Sequence, residues 1–185
     1  MKRVMLIAML MAIYPTVAFA KIPEKPAKLQ ATTAALVVQS LQLGEKSQQL
    51  FSIKDSLLEK VKAKEGNLGS QEDFVVDAAT ELKYIATVAY FEGNLLGAVL
   101  ALKAEYKSQY INNRILELDN AINNTISSLR TIQVAYTAIK DTEALHQIER
   151  SIKATHFLIE MYRNSIVILQ KMTEKKIKGQ EQIQP

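Results

Sequence analysis

The sequence predicts an all-α chain, folded as an up-down-up-down four-helix bundle preceded by a cleaved signal peptide. Three observations carry that reading. The four prolines stand at 15, 23, 26 and 185, so Ala27 to Gln184 contains none, and a proline-free run rich in Ala, Leu, Ile, Lys, Glu and Gln favours helix. Apolar residues recur at alternating spacings of three and four, and no segment alternates with period two for long enough to make a strand. The pattern is interrupted at three places, giving four helices joined by short turns, which pack as antiparallel neighbours.

Met1 to Ala20 reads as a targeting segment. Lys2 and Arg3 supply the positive start, Val4 to Ile13 the apolar core, and Pro15 ends that core. Ala18-Phe19-Ala20 then presents small residues where a signal peptidase reads them. Cleavage after Ala20 leaves Lys21 first and sends the protein to the periplasm or beyond. The chain has no cysteine, which excludes a lipidated thiol, disulfides, a thiolate nucleophile, iron–sulfur clusters and covalently attached haem. Removing Lys2 and Arg3 from the 23 basic residues leaves 21 against 19 acidic ones. That balance gives no footing for a nucleic-acid partner. The remaining length of about 165 residues is one domain's worth.

Lys21 to Lys25 forms an extended lead-in, with Pro26 suited to a first helical turn. The first helix is expected over 26–64. Leucine recurs there at 29, 36, 43, 50 and 57, a coiled-coil-like seam. The complementary seam is polar at Thr33, Ser40 and Ser47 and apolar only at Ile53 and Val61. Glu65-Gly66-Asn67-Leu68-Gly69 is a loop signal, and Ser70 followed by Glu72 and Asp73 reads as a helix start.

The second helix is expected over 71–107, on the register Val75, Ala78, Leu82, Ile85, Ala89, Glu92, Leu96, Val99. Its stretch from Tyr84 to Leu102 has only Glu92 and Asn94 as strongly polar residues. The length suits a membrane span, but a carboxylate and an amide near the midpoint are costly in lipid. It is therefore expected to be the most buried helix of a soluble bundle. Ala89, Gly93, Gly97 and Ala101 make a ridge of small residues along it, suited to close helix packing in the core or at an interface.

A slip of phase near Ser108–Asn113 marks a tight turn, and the third helix is expected over 112–139. A second slip at Lys140-Asp141-Thr142 introduces the fourth over 142–178, followed by a polar tail at 180–185. Lysines gather at the expected helix ends (60, 62, 64; 103, 107; 140; 171, 175, 176, 178). Acids gather at the starts (Glu72, Asp73; Asp141, Glu143). Both trends suit the helix macrodipole.

Glu92 is the first candidate site residue, because an unpaired carboxylate on a core seam needs a partner or a raised pKa. Counting outward from the expected turns places it in one polar layer with Ser40 or Ser47, Thr125, Thr155 and His156. Such a layer either fixes helix register or lines a small-molecule pocket. His146 and His156 do not share a helix face, and Glu143-x-x-His146 has no second copy to complete a di-iron site. Gly-rich phosphate loops, nucleophile elbows and His-Glu-x-x-His are absent. No cofactor or metal is expected, and no catalytic residue. The tyrosines at 84, 90, 106, 110, 136 and 162 are expected at core edges with solvated hydroxyls.

The overall plan resembles periplasmic four-helix bundles used as sensor domains or haem carriers, a likeness of fold carried by no motif. The sequence thus points to an exported, non-catalytic bundle that binds another envelope protein, or a second copy, through a helical face. The alternative is a ligand-binding or sensing bundle with its pocket around Glu92. The basic stretch Lys171–Lys178 adds a lipid-headgroup contact as a lesser expectation, since a helix C-terminus explains it as well.

Overall fold

The computed structural model describes residues 27–63 and 71–180. The signal peptide, the lead-in, the loop Glu65–Gly69 and the tail past Gln180 lie outside the described residues. Within them the chain forms four helices and no strand: α1 (Ala27–Ala63), α2 (Glu72–Ala101), α3 (Ala104–Ala138) and α4 (Thr142–Gln180). α1 packs on α2 and α4, α3 packs on the same two, and lighter contact crosses the diagonal between α2 and α4. This is an all-α bundle, as the heptads and the absence of proline require.

Leu36, Leu43, Leu50 and Leu57 are all fully buried, so the seven-residue seam is the inner edge of α1. The polar half of the complementary seam has a specific use. Ser40 Oγ donates to the Gly93 carbonyl at 2.6 Å and Ser47 Oγ to the Ala86 carbonyl at 2.7 Å. Both bonds run from a small side chain straight onto the backbone of α2, which requires the two helices to lie close. The pairing 40 with 93 and 47 with 86 also shows that α1 and α2 run in opposite senses.

The turn between α2 and α3 is not at Ser108–Asn113. α2 ends at Ala101, Leu102 and Lys103 are extended (ψ 142° and 150°), and α3 runs unbroken from Ala104 through the Asn pair. The phase slip in the sequence is real, but its position is misleading. The new register first reaches the core at Ile111, and Tyr106 before it is 62% exposed. Among the described side chains of α3, no buried apolar residue precedes Ile111 to mark where the helix begins. Lys107 consequently sits in the first turn of α3, where the macrodipole disfavours cations, whereas Lys103 lies between the end of α2 and the start of α3.

The opposite end of the bundle is tied by polar contacts. Lys60 of α1 reaches Asp141 at 3.2 Å and Glu143 at 2.8 Å, and Gln71 Oε1 accepts the Lys140 backbone N–H at 2.5 Å. Asp141 caps α4, with Oδ1 accepting the Ala144 N–H at 2.9 Å. That bond first, and the Lys60 ammonium after it, hold the Asp141 carboxyl below its ordinary value. Asp141→Ala is expected to cost about 1–2 kcal/mol, the usual loss for a removed cap. A depressed folded pKa means that the contribution is complete above the ordinary carboxylate range and is lost as pH falls through the folded value. Urea unfolding at a series of pH values should show wild type and variant converging in acid.

Candidate functional site

Glu92 is buried, at 8% exposure. Its partner is Arg114 of α3, whose Nη1 stands 3.4 Å from both carboxylate oxygens. The Arg114 guanidinium lies 5.7 Å from the centre of the Tyr110 ring, and the Tyr110 hydroxyl donates to the Leu95 carbonyl at 3.1 Å. Desolvation raises the Glu92 pKa, opposed by the Arg114 charge and assisted by Glu117. The long contacts to Arg114 leave the desolvation only partly offset.

α4 brings Tyr162 to the same level. It is fully buried, and burial chiefly, then the Glu92 charge, pushes its phenol far above the ordinary value. The Tyr162 hydroxyl has no hydrogen-bond partner, nor do Arg114 Nε or the Gln39 Oε1 beside Ser40. One layer therefore receives polar groups from all four helices: Gln39 and Ser40, Glu92, Arg114, Tyr162. Tyr162 corrects the expectation of a solvated hydroxyl at the core edge.

The expected company of Glu92 is corrected too. Thr125 and Thr155 are buried, but Thr125 is eleven residues from Arg114, about 16 Å along α3, and Thr155 seven from Tyr162, about 10 Å along α4. Thr155 Oγ1 is itself unpartnered. His156 is exposed rather than layered in the core. It lines an open groove of about 290 Å³ between α3 and α4, with Leu129, Arg130, Ile159, Glu160 and Arg163 among its neighbours. Arg114, which no sequence argument singled out, occupies a position three residues after Ile111 and four before Leu118. That is helical spacing on the core side, and it was the available signal.

The small-residue ridge divides along its length. Ala89 and Gly93 are buried, Gly97 is partly so, and Ala101 is exposed. A Cβ at Gly93 would stand 3.0 Å from the Ser40 carbonyl oxygen, so the ridge is spent on α1 at Gly93. Other buried hydroxyls are committed to backbone as well. Ser151 donates to the Ile148 carbonyl at 2.7 Å and Ser165 to that of Met161 at 2.9 Å, which leaves neither placed as a nucleophile. Among the described residues no group of three or more His, Asp or Glu is placed to hold a metal ion.

The outward side chains of α1 near 37–41 and of α2 near 84–91 are largely apolar. Leu41 is 64% exposed, Phe91 57%, Tyr90 52% and Val38 49%, with Val37 and Tyr84 less so. α2 is long and apolar enough to cross a membrane by composition, yet only 39% of its most apolar window is buried in the bundle. Ser40 meeting Gly93 puts Leu41 level with the turn of α2 that holds Tyr90 and Phe91, whose rings pack edge to face at 5.7 Å. By contrast, Phe157 on α4, also half exposed, lies under the Lys46 ammonium at 5.0 Å. No family model, curated protein or solved structure matches this chain.

Proposed function

We propose that the chain is exported, cleaved after Ala20, and works as a non-catalytic up-down-up-down bundle that binds another envelope protein through a helical face. The face is the outer side of α1 and α2. One observation carries the reading: exposed apolar side chains, Val38 and Leu41 on α1 and Tyr90 and Phe91 on α2, stand at one level of the bundle on stretches almost free of charge. Exposed apolar surface on two neighbouring helices, where it is continuous, marks interaction sites. A photo-reactive residue at position 41 or 91, introduced into the full chain in cells, should crosslink to protein in the exported fraction. The same residue at Leu116 or Val134 of α3, 65% and 58% exposed, should not. Equal yields at all four positions, or none at 41 and 91, would remove the support.

The orphaned polar atoms of the Glu92 layer favour a second reading, a ligand-binding or sensing bundle with its site inside. Unpartnered buried groups are costly, and a small polar ligand supplies the missing bonds. A native mass spectrum of protein taken from its own compartment tests this: added mass lost in Glu92→Gln supports it, and bare protein counts against it.

A further inference from the structure

We propose that the groove between α3 and α4 binds an apolar carboxylate, a single acid head on a short hydrocarbon chain. The site is separate from both readings above. It opens on the side of the bundle away from the α1–α2 pair, and no residue of the Glu92 layer lines it. Helix spacing builds it. Ile126, Leu129, Arg130 and Gln133 on α3 stand at i, i+3, i+4 and i+7, and His156, Ile159, Glu160 and Arg163 on α4 repeat that spacing. Each set is therefore one face of its helix, and the two faces are the walls of one groove. Leu129 and Ile159 are buried and Ile126 partly so, which gives the groove an apolar floor. Arg130, His156, Glu160 and Arg163 are exposed and supply a polar rim.

Charge fixes the sign of the ligand. Arg130 is the one charged residue between Asn120 and Ile139, so its own helix offers it no acid within two turns. On α4, Glu149 is paired with Lys153 and Glu160 with Arg163. Among the described residues Arg130 itself forms no ion pair. With His156 neutral, two arginines against Glu160 leave the lining one positive charge. That balance matches a carboxylate, whose two oxygens fit a planar guanidinium. A bare anion makes no use of the floor, and a neutral hydrocarbon makes none of Arg130. Size sets the chain length. The groove holds about 290 Å³, room for about ten atoms at the roughly 30 Å³ that a water takes up in the liquid. Octanoate has about that many non-hydrogen atoms, and a two-chain lipid has far more.

Nuclear magnetic resonance of the mature chain titrated with octanoate tests the proposal. Saturable shifts are expected at the backbone of Leu129, Arg130, His156, Ile159 and Arg163. Hexanoate should bind about four- to sixteenfold more weakly, roughly two- to fourfold for each methylene removed. Octylammonium, the same chain with the opposite charge, should bind at least about fivefold more weakly than octanoate. Arg130→Gln should remove most of the preference for acid over amine, while circular dichroism reports an unchanged fold because the side chain is exposed. Glu92→Gln should leave octanoate binding as it is, which keeps the groove distinct from the inner layer. Equal binding of octanoate and octylammonium overturns the proposal, as does inorganic phosphate moving the same residues as strongly as octanoate. A titration that never saturates overturns it too, and so does an Arg130→Gln chain that binds octanoate like wild type.

Discussion

Arg114→Ala is expected to destabilise the bundle by about 3 kcal/mol at neutral pH, because it leaves Glu92 buried without its cation. Glu92→Leu is expected to be near neutral. It removes the carboxylate and leaves an arginine whose side chain, at 13% exposure, retains a path to water. The asymmetry identifies Glu92 as the group that bears the desolvation cost. Its folded pKa is raised, so its favourable contribution is complete below the ordinary carboxylate range and is lost as pH rises through the folded value. Removing Arg114 takes away the one opposing influence and widens that window upward. The Arg114→Ala deficit should therefore shrink in acid, and Glu92→Gln in the same background should recover most of it at neutral pH. Part of the loss is packing against Tyr110, which Arg114→Met retains and which does not depend on pH. Denaturant unfolding of the five chains at acidic and neutral pH separates these terms. An Arg114→Ala deficit that is the same at both would show that the charge of Glu92 is not its cause.

The fold was legible because helix and seam are written locally. Leu36 to Leu57 repeat every seventh residue and all are buried, and the Lys140–Thr142 break carries its own cap in Asp141. The turn between α2 and α3 was not legible, since Leu102 and Lys103 supply neither Gly nor Pro and are extended only in context. That error then doubled at the site. In an antiparallel pair, moving the turn by a given number of residues moves the facing residue by twice that number. A turn at Ser108–Asn113 puts Thr125 to Leu129 opposite Glu92; one at Leu102–Lys103 puts Arg114 there. Glu92 could be found from its own neighbours, because burial follows from helix phase. Its partner could not, because partnership depends on where the chain turns. The outer apolar residues went unremarked for a third reason: the register from Val75 to Val99 marks the buried side of α2, and single apolar residues left off it carry no periodic signal of their own.

Gly93→Ala is expected to cost about 2 kcal/mol although alanine is the better helix former by about 1 kcal/mol. The added Cβ would stand 3.0 Å from the Ser40 carbonyl oxygen and 3.2 Å from Leu43 Cβ. Both atoms are fixed to the backbone of α1 and cannot rotate away, so the helices must part, at the usual cost of overpacking. Parting them also stretches the 2.6 Å bond from Ser40 Oγ to the Gly93 carbonyl. The same substitution elsewhere on this contact should behave differently. Gly97→Ala meets only Ser40 Oγ, at 3.3 Å, the end of a short side chain, and should be close to neutral. Gly44→Ala meets nothing within 4 Å and should stabilise by up to about 1 kcal/mol through propensity alone. Because the chemical change is identical at three helical glycines, propensity cancels between them and the ranking reads the space between α1 and α2. Thermal unfolding of the three variants should place Gly44→Ala above wild type, Gly97→Ala beside it and Gly93→Ala below. If Gly93→Ala melts as high as Gly44→Ala, the two backbones do not approach at Gly93, and the hydroxyl bonds of Ser40 and Ser47 onto α2 cannot be what sets the spacing of that hairpin.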